Sequence, residues 1–284
     1  MVNRCANCGS TLAGPFCHEC GERVLVGKDW SVSRLLLDAF GQLADIDSRL
    51  LRSLRWLALR PGGLASEHFA GRRVPYLRPL QLFLLANVVY FFVQSWALFS
   101  GYNTPLASQM SQQIYSDYIP AEAWVAAKSS ALNLGYADFE QVFNVRSDVL
   151  ARTLVFLMVP ALALFLSMIL FRRPNRMVEH SVIAIHYYAF ELLIIFSLFA
   201  SVWPHLVFAV FTPDTLASYR SVAWVVLELG VEPIKGVYWY FTLRGFYGLE
   251  RLPALALTVI VLAGLLLITF GYRLALLLAT LWSL

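Results

Sequence analysis

The chain has 284 residues, 59% of them hydrophobic and 14% charged, and its mean hydropathy is +0.63. Soluble domains sit at about 45–50% apolar and about 25% charged, so this apolar excess is too large for one water-soluble core and excludes a soluble enzyme. The formal net charge of +4 is too small, and too diluted by apolar sequence, for composition to indicate a nucleic-acid binder.

In chain order the first feature is a cysteine constellation. All four cysteines fall within the first 20 residues, as Cys5-Ala-Asn-Cys8-Gly9 and Cys17-His-Glu-Cys20-Gly21. A tetrahedral zinc ion takes four thiolates at about 2.3 Å, and each CxxC turn supplies two of them. The glycine after each pair suits the positive φ that ends such a turn, and Gly14-Pro15 reverses the chain between them. Two disulfides are disfavoured where thiols stay reduced, and unrelated thiols would not collect into one symmetric pair of turns. Iron on the same four ligands stays open. A four-thiolate site leaves no position for water and is structural. His18, between the last two cysteines, is expected to be exposed rather than a ligand.

A helix is expected over residues 31–59, with Ser31 as N-cap and Arg60-Pro61-Gly62-Gly63 as its stop. Leu50, Leu51, Leu54, Leu57 and Ala58 share one side of it, with Arg49, Arg52, Arg55 and Arg60 opposite and Trp56 among the arginines. That pattern fits a helix lying in a membrane interface, and equally one packed against other helices of the same chain. Arg72, Arg73 and Arg78 then sit at the edge of the first apolar span. Together with Arg49 and Arg52 they are candidates for contact with anionic lipid head groups, at roughly 1 kcal/mol per basic residue. They also serve as topology determinants. Nucleic acid is a poor partner, because Glu19, Glu22, Asp29, Asp38, Asp45 and Asp47 are interspersed.

After Pro79 the chain reads as about five membrane spans. Residues 79–99 carry no formal charge, enough to cross roughly 30 Å of hydrocarbon. Residues 150–171 form the second, with Pro160 at mid-span. Residues 181–211 form the third, punctuated by Trp203-Pro204. A short or broken fourth lies near 221–240, interrupted by Glu228, Glu232, Pro233 and Lys235. The last stretch, 253–284, is apolar except for Arg273 and holds one long span or a span followed by a surface-lying tail. No signal-peptide pattern occurs in the first 28 residues. Residues 1–79 hold eleven Lys/Arg, Arg172, Arg173 and Arg176 follow the second span, and Arg244 and Arg251 follow the fourth. The connection at about 101–149 is acidic. Five spans place all three basic segments on one side, with a cytoplasmic amino terminus and an exported acidic loop.

Ionisable groups inside the third span form a candidate polar cluster: His180, His186, Tyr187 and Glu191. Helical periodicity places His180, Tyr187 and Glu191 near one side, and Glu179 with His186 on another. A carboxylate at membrane depth costs a few kcal/mol, so Glu191 must face the bundle interior and be protonated, hydrated or paired, with Arg152, Arg220 or Arg273 as candidates. The cluster is either a polar pathway or an interhelical packing device. No HExxH, phosphate-cradling glycine loop or GxSxG elbow occurs, and catalytic residues are unknown.

The paired CxxCG knuckles, followed by Asp47-Ser-Arg49-Leu-Leu-Arg52, Arg60-Pro61-Gly62, Gly71-Arg72-Arg73 and Tyr76-Leu-Arg78-Pro79, resemble an uncharacterised bacterial family of multi-span membrane proteins with an amino-terminal zinc ribbon. The resemblance implies a zinc-ribbon membrane protein and supplies no catalytic residues.

The expected fold is an all-α integral membrane helical bundle with a small zinc ribbon at 1–27, an amphipathic juxtamembrane segment at 28–79 and a transmembrane domain at 80–284. The expected protein is a multi-pass component of the bacterial inner membrane with a structural Zn2+. Its expected partners are anionic lipid and a cytoplasmic protein docked through the ribbon, in a partner-docking or lipid-sensing role. The alternative is a small transporter, channel or lipid-modifying enzyme using the third-span cluster.

Overall fold

The computed structural model describes residues 4–22, 47–94, 102–111, 113, 115, 118–171, 176–199 and 216–284, with backbone alone at 47, 198–199 and 216–230. Its named elements are all helical. Among the described residues, three helical runs are long and apolar enough to cross a membrane: Tyr136–Ile169, Met177–Ser197 and Arg251–Ser283. A shorter apolar helix, Pro79–Gln94, accompanies them.

Helix α1 (Asp47–Leu59) stops at Pro61-Gly62, and α2 (Gly63–Phe69) follows at once. Gly62 makes that corner at φ +75°, a conformation that disfavours side chains with a Cβ. Helix α3 (Pro79–Gln94) begins with proline at its first position, where a missing N–H costs nothing. The Arg78 N–H donates to Gln81 Oε1 at 3.2 Å, the side-chain half of a capping box. Of the expected helix over 31–59, residues 31–46 lie outside the described residues, as do Arg172, Arg173 and Trp203-Pro204.

The stretch expected as an exported loop is largely helical. It holds α4 (Leu106–Ser111), α5 (Ala121–Ala131) and the start of α6 (Tyr136–Leu154). Leu106, Val125, Phe139 and Phe143 form a small separate core with Leu277 and Leu281. Apolar side chains at helical spacing inside a polar segment account for this: they need cover, and the end of the last helix provides it. Helix α6 runs through one 3-10 turn (Val155–Leu157) into α7 (Met158–Ile169). At 1.5 Å per residue this 34-residue run is about 50 Å long, so its charged first half extends beyond a 30 Å hydrocarbon layer.

Helix α8 (Met177–Phe190) continues as a π-helix, Glu191–Phe199. The Ser197 hydroxyl donates to the Leu192 carbonyl five residues back, at 2.7 Å. In its most apolar 18-residue stretch 89% of residues are buried, against 33% in that of the α6–α7 run and 28% in that of the last helix, so α8 is the axis of the bundle. Helices α1, α2, α3 and α7 all pack against it.

Helix α9 (Leu216–Gly245) is continuous through Pro233, which corrects the expectation of a short or broken fourth span. It is not among the three long apolar helices, consistent with Glu228, Glu232 and Lys235 in its sequence. Helix α10 (Arg251–Ser283) is one unbroken helix. A Cβ on Gly264 would lie 2.3 Å from the Phe165 ring, so glycine is what permits α10 to approach α7 so closely. The main core runs from Leu57 and Leu64 through Phe83, Leu162 and Tyr187 to Trp239.

Candidate functional site

The ribbon is two copies of one turn. Cys5 N–H donates to the Ser10 carbonyl and Cys17 N–H to the Glu22 carbonyl, both at 2.8 Å. Gly9 and Gly21 return N–H bonds to the Cys5 and Cys17 carbonyls at 2.8 and 2.9 Å. Gly9 and Gly21 take φ of +78° and +70°, which closes each knuckle over its thiols. All four thiols are free. Their sulfurs lie within 4.8 Å of one another, with Cys5 to Cys20 at 3.6 Å and Cys8 to Cys17 at 3.5 Å. Four sulfurs each about 2.3 Å from a central zinc would be separated by about 3.8 Å, so the donor set fits a thiolate-bound metal ion.

The Ser10 hydroxyl lies 3.0 Å from both Cys8 and Cys17. Chiefly through that hydroxyl, the Cys17 thiol is pulled down to about 6 and that of Cys8 is lowered too. Burial pushes the Cys20 thiol up to about 11. His18 is exposed and lies 3.6 Å from Glu19, outside the sulfur cluster.

The ribbon is seated on the arginine loop between α2 and α3. The buried Glu22 carboxylate meets Arg73 Nη2 at 3.3 Å and accepts the Arg73 backbone N–H at 3.2 Å. Gly71, at φ +80°, brings its backbone so near the first knuckle that a Cβ there would sit 3.1 Å from the Ala6 Cβ. Arg72 forms a bidentate pair with Glu67, both contacts at 2.6 Å. Arg52 donates to the Pro75 carbonyl at 3.4 Å, and the half-buried Arg49 accepts the Ser53 hydroxyl on its backbone carbonyl at 2.7 Å. Arg60 lies over the Trp56 ring at 4.5 Å, and Trp56 meets Tyr76 at 5.1 Å.

Helix α1 therefore packs inward, through Ser53, Leu57 and the half-buried Leu54 and Trp56. Leu51 and Leu59 do not join that face. They are 74% and 70% exposed, on an outer stripe with Arg52 and Arg55.

The structure divides the third-span cluster into three. Glu191 is buried and accepts hydrogen bonds from Tyr102 Oη at 2.5 Å and Tyr187 Oη at 3.2 Å. Its charged partner is Lys235 of α9, at 3.2 Å, and Lys235 also meets Glu232 at 3.0 Å. None of the arginines named as partners takes that role among the described side chains: Arg152 pairs with Asp148 and Arg273 donates to Gln113. The Arg220 side chain lies outside the description. His180, expected near Glu191, instead stacks on Tyr247 and shares a 2.9 Å hydrogen bond with its hydroxyl. His186 is buried with no hydrogen-bond partner at Nδ1 and lines a recess beneath the arginine loop.

A family model described as "Protein of unknown function (DUF3667)" matches residues 47–91. No curated protein and no solved structure matches the chain. The matched stretch covers α1, α2, the arginine loop and most of α3, and thus the scaffold of the arginines and of His68, but not the ribbon.

Sequence reasoning missed Lys235 and Tyr102 as partners of Glu191, and His68, which lines the same recess as His186. Lys235 reads only as an interruption of the fourth span, and nothing in its local sequence indicates the carboxylate on another helix. Tyr102 is separated from Glu191 by 89 residues. His68 had a weak signal, an imidazole four residues before an arginine pair.

Proposed function

We propose that this chain is a membrane-anchored sensing protein whose metal-bound ribbon is latched to the arginine loop at the cytoplasmic membrane face and responds there to anionic phospholipid. The reading includes zinc as the metal, a cytoplasmic amino terminus and a bacterial inner membrane. The clustering of arginines on the ribbon side of the first span supports that orientation. The observation that carries the reading is the latch: Glu22 of the ribbon is buried against Arg73 of the loop. An anionic head group competing for the loop arginines would act on the ribbon directly. The outer stripe of Leu51, Arg52, Arg55 and Leu59 combines basic groups with exposed leucines, as a helix lying at a lipid interface does.

The alternative, a transporter or lipid-modifying enzyme working through Glu191, receives less support. The carboxylate is engaged by one ammonium and two phenols, the arrangement of a satisfied packing cluster. The test is hydrogen exchange at residues 4–22 of the full chain in nanodiscs. Exchange is expected to rise in phosphatidylglycerol relative to phosphatidylcholine. Identical ribbon protection in the two lipids would sink the sensing role.

A further inference from the structure

The ribbon marks one end of the bundle, where the Phe69 ring of α2 meets Phe246 at 5.9 Å just ahead of α10. Helix α10 runs from there to the opposite end, and its exposed side chains include Leu252, Leu255, Val259, Leu267, Leu278 and Trp282. From Leu252 to Trp282 the helix rises about 45 Å at 1.5 Å per residue. A tilt of about 20° shortens that to about 42 Å. The hydrocarbon layer takes up only about 30 Å, whereas a bilayer with its head groups measures about 40–45 Å. The exposed apolar run on α10 therefore matches the whole bilayer and outruns its hydrocarbon.

The α6–α7 run agrees. Val142, Val145, Val149, Phe156, Leu164 and Met168 are exposed at helical spacing, which keeps them on one side over about 39 Å. Two hydrogen bonds hold α6 and α10 at a common level: Tyr272 Oη donates to the Ala151 carbonyl at 3.3 Å, and Arg146 Nε to Ser283 Oγ at 3.0 Å. At that far end Val145 is 70% and Trp282 88% exposed, while Leu277 and Leu281 on the inner side of α10 complete the core of the helical cap formed with α4 and α5. The cap is acidic: residues 101–149 hold five carboxylates and two cations. Charge does not draw it to an anionic surface, so apolar and indole groups must carry any contact with lipid. An exposed indole suits the head-group level of a bilayer, where such amphipathic rings concentrate.

We propose that the helical cap opposite the ribbon is seated in the head-group layer of its own leaflet, with Val142, Val145, Val149, Leu278 and Trp282 as the surface that contacts phospholipid. This surface continues, along the same two helices, the flank that the hydrocarbon covers, so the lipid that surrounds the spans also reaches the cap. The contact is with the uncharged glycerol and carbonyl region of the lipid. It is independent of the sensing role, which concerns the other end of the molecule.

The experiment uses the full metal-loaded chain in phosphatidylcholine nanodiscs holding one copy each. The chain has eight tryptophans, so the Trp282 emission is read as the difference between wild type and Trp282→Phe. Three quenchers are compared: a nitroxide on the choline head group, bromines midway along the acyl chains, and acrylamide in the water. The head-group nitroxide is expected to remove at least half of the Trp282 emission and the mid-chain bromines less, with acrylamide at least fivefold less effective than on a free indole. Val145→Trp, read against wild type, is expected to give the same ranking from α6 and requires no change at Trp282. The proposal is overturned if acrylamide reaches Trp282 as it does a free indole, which would place the cap clear of the membrane. Stronger quenching by the mid-chain bromines than by the head-group nitroxide overturns it too, by placing the cap in the hydrocarbon. Protection from all three quenchers would mean that protein covers the indole, and is the third result that overturns it.

Discussion

Lys235 of α9 places its ammonium 3.2 Å from the Glu191 carboxylate of α8, with both side chains largely withdrawn from solvent. Each charge makes the other tolerable, and Tyr102 and Tyr187 each donate a further hydrogen bond to the carboxylate. Removing one partner from such a pair leaves an uncompensated buried charge, which costs about 3–5 kcal/mol, whereas replacing both with neutral groups of similar volume is often close to neutral. Lys235→Ala should therefore lower the thermal unfolding midpoint in detergent sharply. The double change Glu191→Gln with Lys235→Met should recover most of that loss. A Lys235→Ala protein as stable as wild type would mean that the pair is solvated and does not tie α8 to α9.

The latch between the ribbon and the loop makes a second prediction. Glu22 and Arg73 lie 51 residues apart in sequence, and both are mostly shielded. Contacting groups in one such network typically show coupling energies of about 0.5–3 kcal/mol in a double-mutant cycle. Glu22→Gln and Arg73→Gln, alone and together, should show coupling in that range when read as amide protection of residues 4–22. Additive effects would mean that the ribbon is not held by this pair.

How much of this was legible beforehand depends on the range over which each feature is determined. The clustering of the four cysteines was readable, because CxxCG is a local motif whose turn geometry lies within five residues, and their sulfurs come within 4.8 Å of one another. The last apolar stretch was readable too, since residues 253–284 are apolar except at Arg273, but sequence left one long helix and a helix with a surface tail both open, and the structure has the single helix. Glu191 was correctly expected to face the interior, as any carboxylate in such a helix must. Its partner was not legible, because which lysine or arginine meets it depends on how α9 rotates against α8. The same limit applied to Leu51, assigned by periodicity to the apolar face although only part of that face finds a neighbour. The helices within 101–149 were missed because the acidic stretch was read only as an exported loop, while Phe139 and Phe143, spaced four apart, already form one face of a helix.

Metal content is a direct check on the ribbon. About one equivalent of zinc should co-purify with the chain, and a chelator should abolish protection of residues 4–22, because four-thiolate sites contribute folding energy through the metal. Ser10 gives a finer test. Its hydroxyl lies 3.0 Å from two of the sulfurs, and loss of such outer-shell partners typically costs about 10–100-fold in metal affinity. Ser10→Ala should show that loss in competition with a chromogenic chelator. Unchanged affinity would mean that the hydroxyl turns away once the metal binds.

His68 makes the stability of the loop region depend on pH in a defined direction. Burial first, then the charge of Arg73 and the neighbouring His186 and Arg78, push its imidazole from 6.5 down to about 3. The folded state thus keeps His68 neutral at pH values where the unfolded chain protonates it. The unfolded state binds more protons over that window, so stability is complete above about 6.5 and is lost as pH falls toward 3. Between pH 7.5 and 5, where most carboxylates are still charged, the loss from this one group should be about 1–2 kcal/mol, the lower figure allowing for residual solvent contact of the ring. Local opening energies of α2 by hydrogen exchange at the two pH values supply the measurement. The wild type should show the loss and His68→Gln should not. Equal pH dependence in both proteins would place the titrating group elsewhere.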